Sequence, residues 1–214
     1  VGREALRRCI LEQQVSGVMA GENAAFGLLR GDLWRGALAG AIAGEELARV
    51  CSPENAPLAF MCGLLRDIGK LALNVKYGAQ YPAMIAAHSR EGSSFIEAEQ
   101  EALGFDHAQV GAALARQWRL PERIAMAIEM HHEPPPPGPG HDVLFDIVHA
   151  ADTISRWAGL CVGAEGMDYR LAEHVRQALW LDRRSVEREI ALVWEKLHEA
   201  EEWTGGTVKK GAAA

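Results

Sequence analysis

The feature that most constrains this fold is a dense series of helix start and stop signals along a chain rich in helix-forming residues. Ala, Leu and Glu abound, whereas the β-branched residues that favour strands are sparse. The segment Ser94–Glu97 has the pattern of a capping box, and Gly104 supplies a stop signal shortly afterwards. We therefore expect an all-α fold, a multi-helix bundle of short helices that cross at varied angles.

The predicted helices share apolar residues at helical spacing and a capping residue or proline near their start. They cover residues 3–19, 33–50, 53–65, 79–90, 94–103, 106–118, 120–132, 142–160, 168–180 and 182–203. Gly69 is expected to break the helix that begins at residue 53, with a short helical continuation to Leu73. The proline-rich segment 134–140 is predicted to be a stiff, polyproline-like connector, because proline removes a backbone donor and fixes φ. The sequence has no internal repeat and no convincing strand.

The length of 214 residues is compatible with one domain. A net charge of −7 argues against binding to a phosphate backbone, and no apolar run approaches the roughly 20 residues that a membrane span needs. The four cysteines form no CxxC pair, which is typical of a reducing compartment. We therefore expect a single domain over residues 1–204, a disordered tail over 205–214, a cytoplasmic location, and neither nucleic-acid nor membrane partners.

Residues with metal-ligand chemistry lie near several predicted helix ends. Asp67, His107 and His131 each occupy such a position, and His149 and Asp152 are three residues apart, so they share a helix face. Helical bundles build metal sites from carboxylates and imidazoles that arrive from several helices. Taken singly, each of these residues is more simply explained as a cap or a surface residue.

Three segments considered together resemble the HDOD family, the HD-related output domain of bacterial signalling proteins. They are residues 63–71 (Gly-Leu-Leu-Arg-Asp-Ile-Gly-Lys-Leu), residues 104–112 with their continuation to Pro121, and residues 128–134 (Ile-Glu-Met-His-His-Glu-Pro). Residues 33–35 and 147–152 also fit the pattern, so the resemblance spans 33–157. It implies an HD-domain-like helical bundle, and it implies that the first helices of the family would precede Val1.

In the related HD-GYP phosphodiesterases, an upstream His, a His-Asp pair, further His residues and a late Asp bind metals. The resemblance places four residues at such ligand positions, namely Asp67, His107, His131 and Asp152, with His132 and His149 as accessory candidates. The Gly-Tyr-Pro element that should follow the His pair is absent, and Glu133 and the proline run stand there instead.

Two ligand positions of that pattern are altered. The His of the His-Asp pair is Arg66, and the upstream His position holds Gly36. A metal needs a lone-pair donor, and the permanently protonated guanidinium has none. We expect Arg66 to take the electrostatic role of the metal by pairing with Asp67 or Asp152. Lys70 either joins this cluster or lies on the surface.

The function expected from this pattern is that of a non-catalytic signal-transduction output or interaction domain, with no catalytic residue, no cofactor and one or more protein partners. The alternative is a metal-dependent phosphohydrolase that acts on a nucleotide or cyclic dinucleotide through one divalent ion such as Fe, Mn or Zn. A third possibility is a small-molecule or nucleotide sensor that uses the altered pocket. The apolar stripe at Val186, Ile190, Val193 and Leu197 favours packing within the chain over a homodimer.

Overall fold

The structure is a computed structural model, which describes residues 14–166 and 170–203, without the side chain of Trp203. Apart from one isolated bridge between Asn23 and Leu28, the regular elements in these ranges are helices, which confirms the all-α prediction. The α-helices are α1 (Asp32–Cys51), α2 (Ala56–Leu65), α3 (Gly69–Tyr77), α4 (Tyr81–Ala86), α5 (Phe95–Leu103), α6 (His107–Gln117), α7 (Glu122–Glu129), α8 (Val143–Trp157), α9 (Glu173–Ala178) and α10 (Arg183–Trp203). Short 3-10 helices cover Ala24–Phe26, Pro53–Asn55 and Gly78–Gln80.

The N-terminal helix predicted over residues 3–19 falls partly within this range, and residues 14–19 are helical. Residues 1–13 and the predicted tail over 205–214 lie outside the described residues.

Within the described part of the chain, none of the helices combines the length and the apolar character needed to cross a membrane.

Local capping signals determine where several helices begin. The Ser94 hydroxyl accepts a hydrogen bond from Glu97 N at 3.2 Å, and the Glu97 carboxylate accepts one from Ser94 N at 2.7 Å. Asp106 and Gln109 form the same reciprocal arrangement at the start of α6. These side chains satisfy backbone donors that the first turn leaves without partners, which is why the sequence predicted both boundaries correctly.

Helix ends were predicted less well than helix starts. The break expected at Gly69 comes earlier, in a turn over residues 66–68, and Gly69 begins α3, which continues to Tyr77 rather than Leu73. The helix predicted over 120–132 ends at Glu129, and residues 130–133 form a turn and bends before the proline-rich segment. The helix predicted over 79–90 is confined to α4, and the one over 168–180 to α9.

The bundle is organised around α1 and α8. α1 packs against α2, α8 and α10, and its buried positions are mostly Gly and Ala. A Cβ atom on Gly63 of α2 would lie only 2.4 Å from the carbonyl oxygen of Gly40 in α1, so the two helices approach too closely for any side chain there. Residues 144–156 of α8 are all buried, including six with polar or charged side chains. The centre of the bundle is therefore a polar region that needs internal partners.

Candidate functional site

Arg66 occupies the centre of the bundle, where α2 ends. Its side chain is completely buried, and its Nε donates a hydrogen bond to Asp152 Oδ1 of α8 at 2.7 Å. Its Nη2 lies 3.4 Å from Asp67 Oδ2. The expected pairing of Arg66 with these two carboxylates is therefore present with both. The remaining guanidinium contacts are hydrogen bonds to the backbone oxygens of Gly63 (2.6 Å) and Gly36 (3.2 Å) and to the Ser155 hydroxyl (3.2 Å).

Lys70 belongs to the same cluster and does not lie on the surface. One helical turn after Asp67, its Nζ stands 2.8 Å from Asp67 Oδ1 and 2.6 Å from Glu165 Oε1. Only 1% of the Lys70 side chain is exposed. A buried ammonium between two carboxylates contributes a fixed positive charge in the same way as the Arg66 guanidinium.

Sequence reasoning missed two members of this cluster, Arg156 and Glu165. Arg156 lies one turn after Asp152 on α8 and donates to Asp152 Oδ2 at 3.0 Å, and it also pairs closely with Glu165. Glu165 comes from the segment that follows α8, where no motif marks it. Three cations and three carboxylates thus balance one another in the interior, and we call these six residues the ionic cluster: Arg66, Lys70, Arg156, Asp67, Asp152 and Glu165.

Two glycines of α1 leave room for side chains at the centre of the bundle, Gly40 for Arg66 and Gly36 for Cys161. A Cβ atom on Gly40 would lie 2.0 Å from Arg66 Nη1, so the guanidinium fills the volume that any side chain would take there. One turn earlier, a Cβ atom on Gly36 would lie 2.2 Å from the Cβ atom of Cys161. The space that a side chain would take at the position where the resemblance expects the upstream His is therefore filled by Cys161.

Three imidazoles lie beside the ionic cluster, and their ligand-type nitrogens are all within 4.8 Å of one another. We call His107, His131 and His132 the imidazole cluster. His107 Nε2 and His132 Nε2 are 2.9 Å apart, and His107 Nδ1 lies 2.7 Å from Glu99 Oε2. His131 Nδ1 contacts the carbonyl oxygen of Ile128 at 2.6 Å. The two anchored rings direct their other nitrogens toward the centre, which is how metal-binding imidazoles are commonly held.

The protonation states differ within the imidazole cluster. Burial lowers the pKa of His131 to about 4, and burial together with the neighbouring rings holds the pKa of His132 well below its usual value. Burial alone would lower the pKa of His107 as well, but the Glu99 carboxylate beside it raises that pKa. His131 is therefore neutral near pH 7, the pKa of His132 is shifted in the same direction, and Glu99 favours the protonated form of His107.

The ionic cluster keeps its charges at neutral pH. Burial alone would raise the pKa of Asp67, but Lys70, Arg66 and Arg156 together hold it well below its usual range. At Asp152 and Glu165 the neighbouring cations likewise outweigh the effect of burial. They lower the pKa of Asp152, and they lower that of Glu165 to about 2. Because each carboxylate has at least one cation within ion-pair distance, the cluster needs no additional positive charge.

His149, an accessory candidate from the sequence, takes a different position. Its Nδ1 lies 2.8 Å from the carbonyl oxygen of His131, and its Nε2 accepts a hydrogen bond from Ala172 N at 3.1 Å. Both ring nitrogens therefore contact backbone atoms. His149 thereby connects α8 both to the turn that carries His131 and His132 and to the start of α9.

A cleft of about 680 Å³ lies beside the imidazole cluster, between α5, α6 and the end of α7. His132 is its connection to the interior, with 8% of the side chain exposed. The charged residues that line it are mostly acidic: Arg90, Glu91, Glu97, Glu101, Asp106, Glu129 and Glu133.

Comparison with known proteins shows to which family the chain belongs. The domain model of the HDOD family matches residues 1–134, more than half of the chain. The chain belongs to the HDOD family. The match begins at Val1 and ends in the proline run, so α8, which carries Asp152, follows the matched part.

Solved structures extend the likeness of this HDOD chain past the matched region. An HDOD domain protein of unknown function from Geobacter sulfurreducens is 25% identical, with a TM-score of 0.64 over 93% of this chain and 68% of that one. A protein from Shewanella amazonensis SB2B, named as a candidate phosphohydrolase, is also 25% identical, with a TM-score of 0.64 over 92% and 73% of the two chains. The MmoQ response regulator from Methylococcus capsulatus shares the fold at 20% identity and a TM-score of 0.55, over 79% and 64%.

Among curated proteins, an uncharacterized protein from Treponema pallidum (strain Nichols) is 33% identical to this HDOD chain over 82 residues. The alignment covers 36% of this chain and 15% of the length of that relative.

The donor set of the HDOD chain does not fit the binuclear metal centre of the HD scaffold. Arg66 fills one ligand position with a cation, Gly36 offers no donor at another, and the carboxylates are already neutralised by Arg66, Lys70 and Arg156. The imidazole cluster fits a single ion better, since the buried His131 Nε2 has no hydrogen-bond partner among the described residues. A metal bound at His107 Nε2 would have to displace any proton on that nitrogen, while Nδ1 could keep its contact with Glu99.

Proposed function

We propose that this HDOD chain is a non-catalytic signalling domain that acts by contacting protein partners on an HD-phosphohydrolase-like scaffold. One observation carries the proposal: the buried Arg66 guanidinium holds Asp67 and Asp152 together where a catalytic ion would otherwise be needed. Hydrolysis at such a site requires a metal-activated water, and a fixed guanidinium can neither bind water as a Lewis acid nor lower its pKa to the same extent. The likeness to a response regulator adds support for a role in signalling.

The ionic cluster also obstructs substrate. Glu165 places a carboxylate against Lys70 and Arg156, the two cations that could otherwise receive a phosphate. A phosphate would have to displace this carboxylate from a closed, charge-balanced interior, at the expense of two buried ion pairs. A bundle with a closed interior still presents its outer helical faces to partners, which is the role we assign to it.

The imidazole cluster favours one alternative, a metal-dependent phosphohydrolase acting on a nucleotide or cyclic dinucleotide. One divalent ion such as Fe, Mn or Zn would bind His107, His131 and His132, with Asp67 at 3.7 Å from His107 and 4.0 Å from His131. The name given to the Shewanella amazonensis protein points the same way. We rank this alternative second because the carboxylates that would otherwise neutralise such an ion already pair with Arg66, Lys70 and Arg156.

The test combines metal content with hydrolysis. The protein is purified without chelators or nickel columns, analysed for Fe, Mn and Zn, and assayed with a chromogenic phosphodiester and a cyclic dinucleotide in the presence of added Mn²⁺ or Fe²⁺. His131→Gln is assayed alongside, because it removes the unpartnered imidazole and leaves the ionic cluster intact. The proposal expects no hydrolysis above buffer in either protein. Hydrolysis by the wild-type protein that disappears in His131→Gln would establish the alternative.

A further inference from the structure

The outer face of α10 is a surface that the site described above does not use. The inner face of this helix packs against α1 and α8, and Val193 there is completely buried. Four charged side chains on the other side are exposed: Arg184, Arg188, Glu195 and Glu199. Because an α-helix turns by about 100° per residue, these four lie within about 60° of one another and roughly opposite Val193. They therefore form one continuous strip along the outside of the bundle.

The charges of this strip are sorted by sign. Arg184 and Arg188 lie in the first half of α10, and Glu195 and Glu199 lie in the second half. None of the four forms an ion pair with another residue in the part of the chain that the structure describes, although other charged residues of α10 do. The strip thus presents a basic half and an acidic half to its surroundings.

This order of charges costs the isolated chain stability. Like charges four residues apart on a helix repel each other, and both the arginines and the glutamates of the strip are spaced in this way. Arg184 lies in the first turn and Glu199 near the other end of α10, so both charges also oppose the helix macrodipole. A partner with the reverse order of charges would relieve both costs.

A second copy of the same helix has that reverse order when it lies antiparallel. Arg184 and Glu199 are equally far along the chain from a midpoint just after Ala191, and so are Arg188 and Glu195. Antiparallel copies that cross at this midpoint bring each arginine of one copy opposite a glutamate of the other. Ala191 is exposed at the crossing point, where its small side chain lets two helices approach closely.

The acidic half of the strip also has room for an incoming arginine. A shallow depression of about 450 Å³ is lined by Trp194, Glu195, His198, Glu199 and Glu202. An indole ring beside carboxylates suits a guanidinium, which pairs with carboxylates through two donors and stacks on aromatic rings. The arginines of an antiparallel copy would lie opposite this depression.

We propose that the outer face of α10 is a self-association surface, through which two copies of this chain pair antiparallel about a two-fold axis. Each copy contributes its basic half and its acidic half, so the surface is self-complementary. We expect one pair of helices to bury less than the roughly 1,600 Å² of a standard stable interface, so the dimer is weak and forms at high local concentration.

The dimer should also be sensitive to salt. Its contacts are exposed ion pairs, and the screening length falls from about 10 Å at 0.1 M salt to about 3 Å at 1 M. The proposal is independent of the proposed function, because no residue of this strip belongs to the ionic or imidazole cluster.

The test is a charge swap followed by analytical ultracentrifugation of the full chain. One variant combines Arg184→Glu with Arg188→Glu, which makes the strip acidic throughout. The other combines Glu195→Lys with Glu199→Lys, which makes it basic throughout. All four side chains are exposed, so both variants keep the fold, which circular dichroism verifies. Arg90→Glu is the matched control, because it reverses a charge that is 77% exposed in the segment between α4 and α5.

At low ionic strength, the wild-type protein and Arg90→Glu should show the same concentration-dependent mixture of monomer and dimer. Each double variant alone should associate at least about tenfold more weakly, because like charges then face each other across the two-fold axis. An equimolar mixture of the two double variants should regain the dimer, which a fluorescent label on one of them identifies as mixed. High salt should weaken the wild-type dimer and the mixed dimer alike.

Three results would overturn the proposal. A wild-type protein that stays monomeric at every concentration would leave this face to a different protein partner. A dimer that persists in both double variants would place the contact elsewhere on the surface. A dimer that is lost in the variants and not restored by mixing them would exclude the antiparallel pairing.

Discussion

Replacing Arg66 with Met tests whether the guanidinium is essential to the interior of the bundle. Arg66 is fully buried and donates to Asp152, to Ser155 and to two backbone oxygens, and it pairs with Asp67. Met fills much of the same volume, but it leaves three carboxylates with two cations. Removing one partner from a buried ion pair costs about 3–5 kcal/mol, because the remaining charge stays uncompensated.

The expected loss is a large part of the stability of a domain, which is usually about 5–15 kcal/mol. For a chain of this size, it corresponds to a decrease in melting temperature of about 6–20 °C. Urea unfolding followed by circular dichroism measures the difference. Arg183→Met is the control, since Arg183 is 90% exposed and its ion pair among the described residues is with Glu187, one turn away. We expect its unfolding midpoint to match that of the wild-type protein.

The loss of stability in Arg66→Met should also depend on pH. In the wild-type protein the lowered pKa of Asp67 and Asp152 stabilises the fold above the unfolded pKa of about 4, and this contribution is lost as the pH falls toward the folded values. Without Arg66 the pKa values of Asp67 and Asp152 are lowered less, so the variant has less stability to lose in acid. The difference in the free energy of unfolding between the wild-type protein and Arg66→Met should therefore be largest near pH 7 and should become smaller below pH 4. Stability equal to wild type at pH 7, or a gap that widens in acid, would refute the assigned role.

Two further predictions concern the same region. Gly40→Ala should destabilise the protein by at least about 2 kcal/mol, because its Cβ would lie 2.0 Å from Arg66 Nη1; a melting temperature unchanged in differential scanning calorimetry would contradict this. The wild-type protein should remain folded down to about pH 4 and unfold cooperatively at lower pH, because the pKa values of Asp67, Asp152 and Glu165 are all lowered in the folded state. Far-UV circular dichroism against pH checks this, and a transition centred above pH 5 would show that other groups dominate.

The sequence predicted the parts of the fold that depend on neighbouring residues. Ser94 and Asp106 mark helix starts because a cap bonds within three residues of itself, so its signal is local. Helix ends such as Glu129 and the short α9 depend more on what the following residues contact, and no short pattern records that. The HDOD family and the all-α fold were likewise predictable, since they rest on several segments whose order and spacing agree.

The ionic cluster shows where such prediction stops. Arg66 could be placed against Asp152 because a motif marks each of them. Arg156 carried a usable signal, since it lies four residues after Asp152 and therefore on the same face of α8. Glu165 had none: it comes from an irregular segment and reaches Lys70 only through the tertiary fold. No local pattern indicated that Glu99 would be buried against His107 either, because acidic residues on a surface helix usually face water.

The close packing of Gly40 against Arg66 has a consequence for the substitutions that this domain can accept. Arg66 occupies the space that Gly40 leaves open, so any larger residue at position 40 would clash with the guanidinium. A change of Arg66 to His alone would open a void beside Gly40 and leave the carboxylates one cation short. The two positions are therefore coupled, and placing a metal-ligating imidazole at position 66 would require compensating changes elsewhere in the interior.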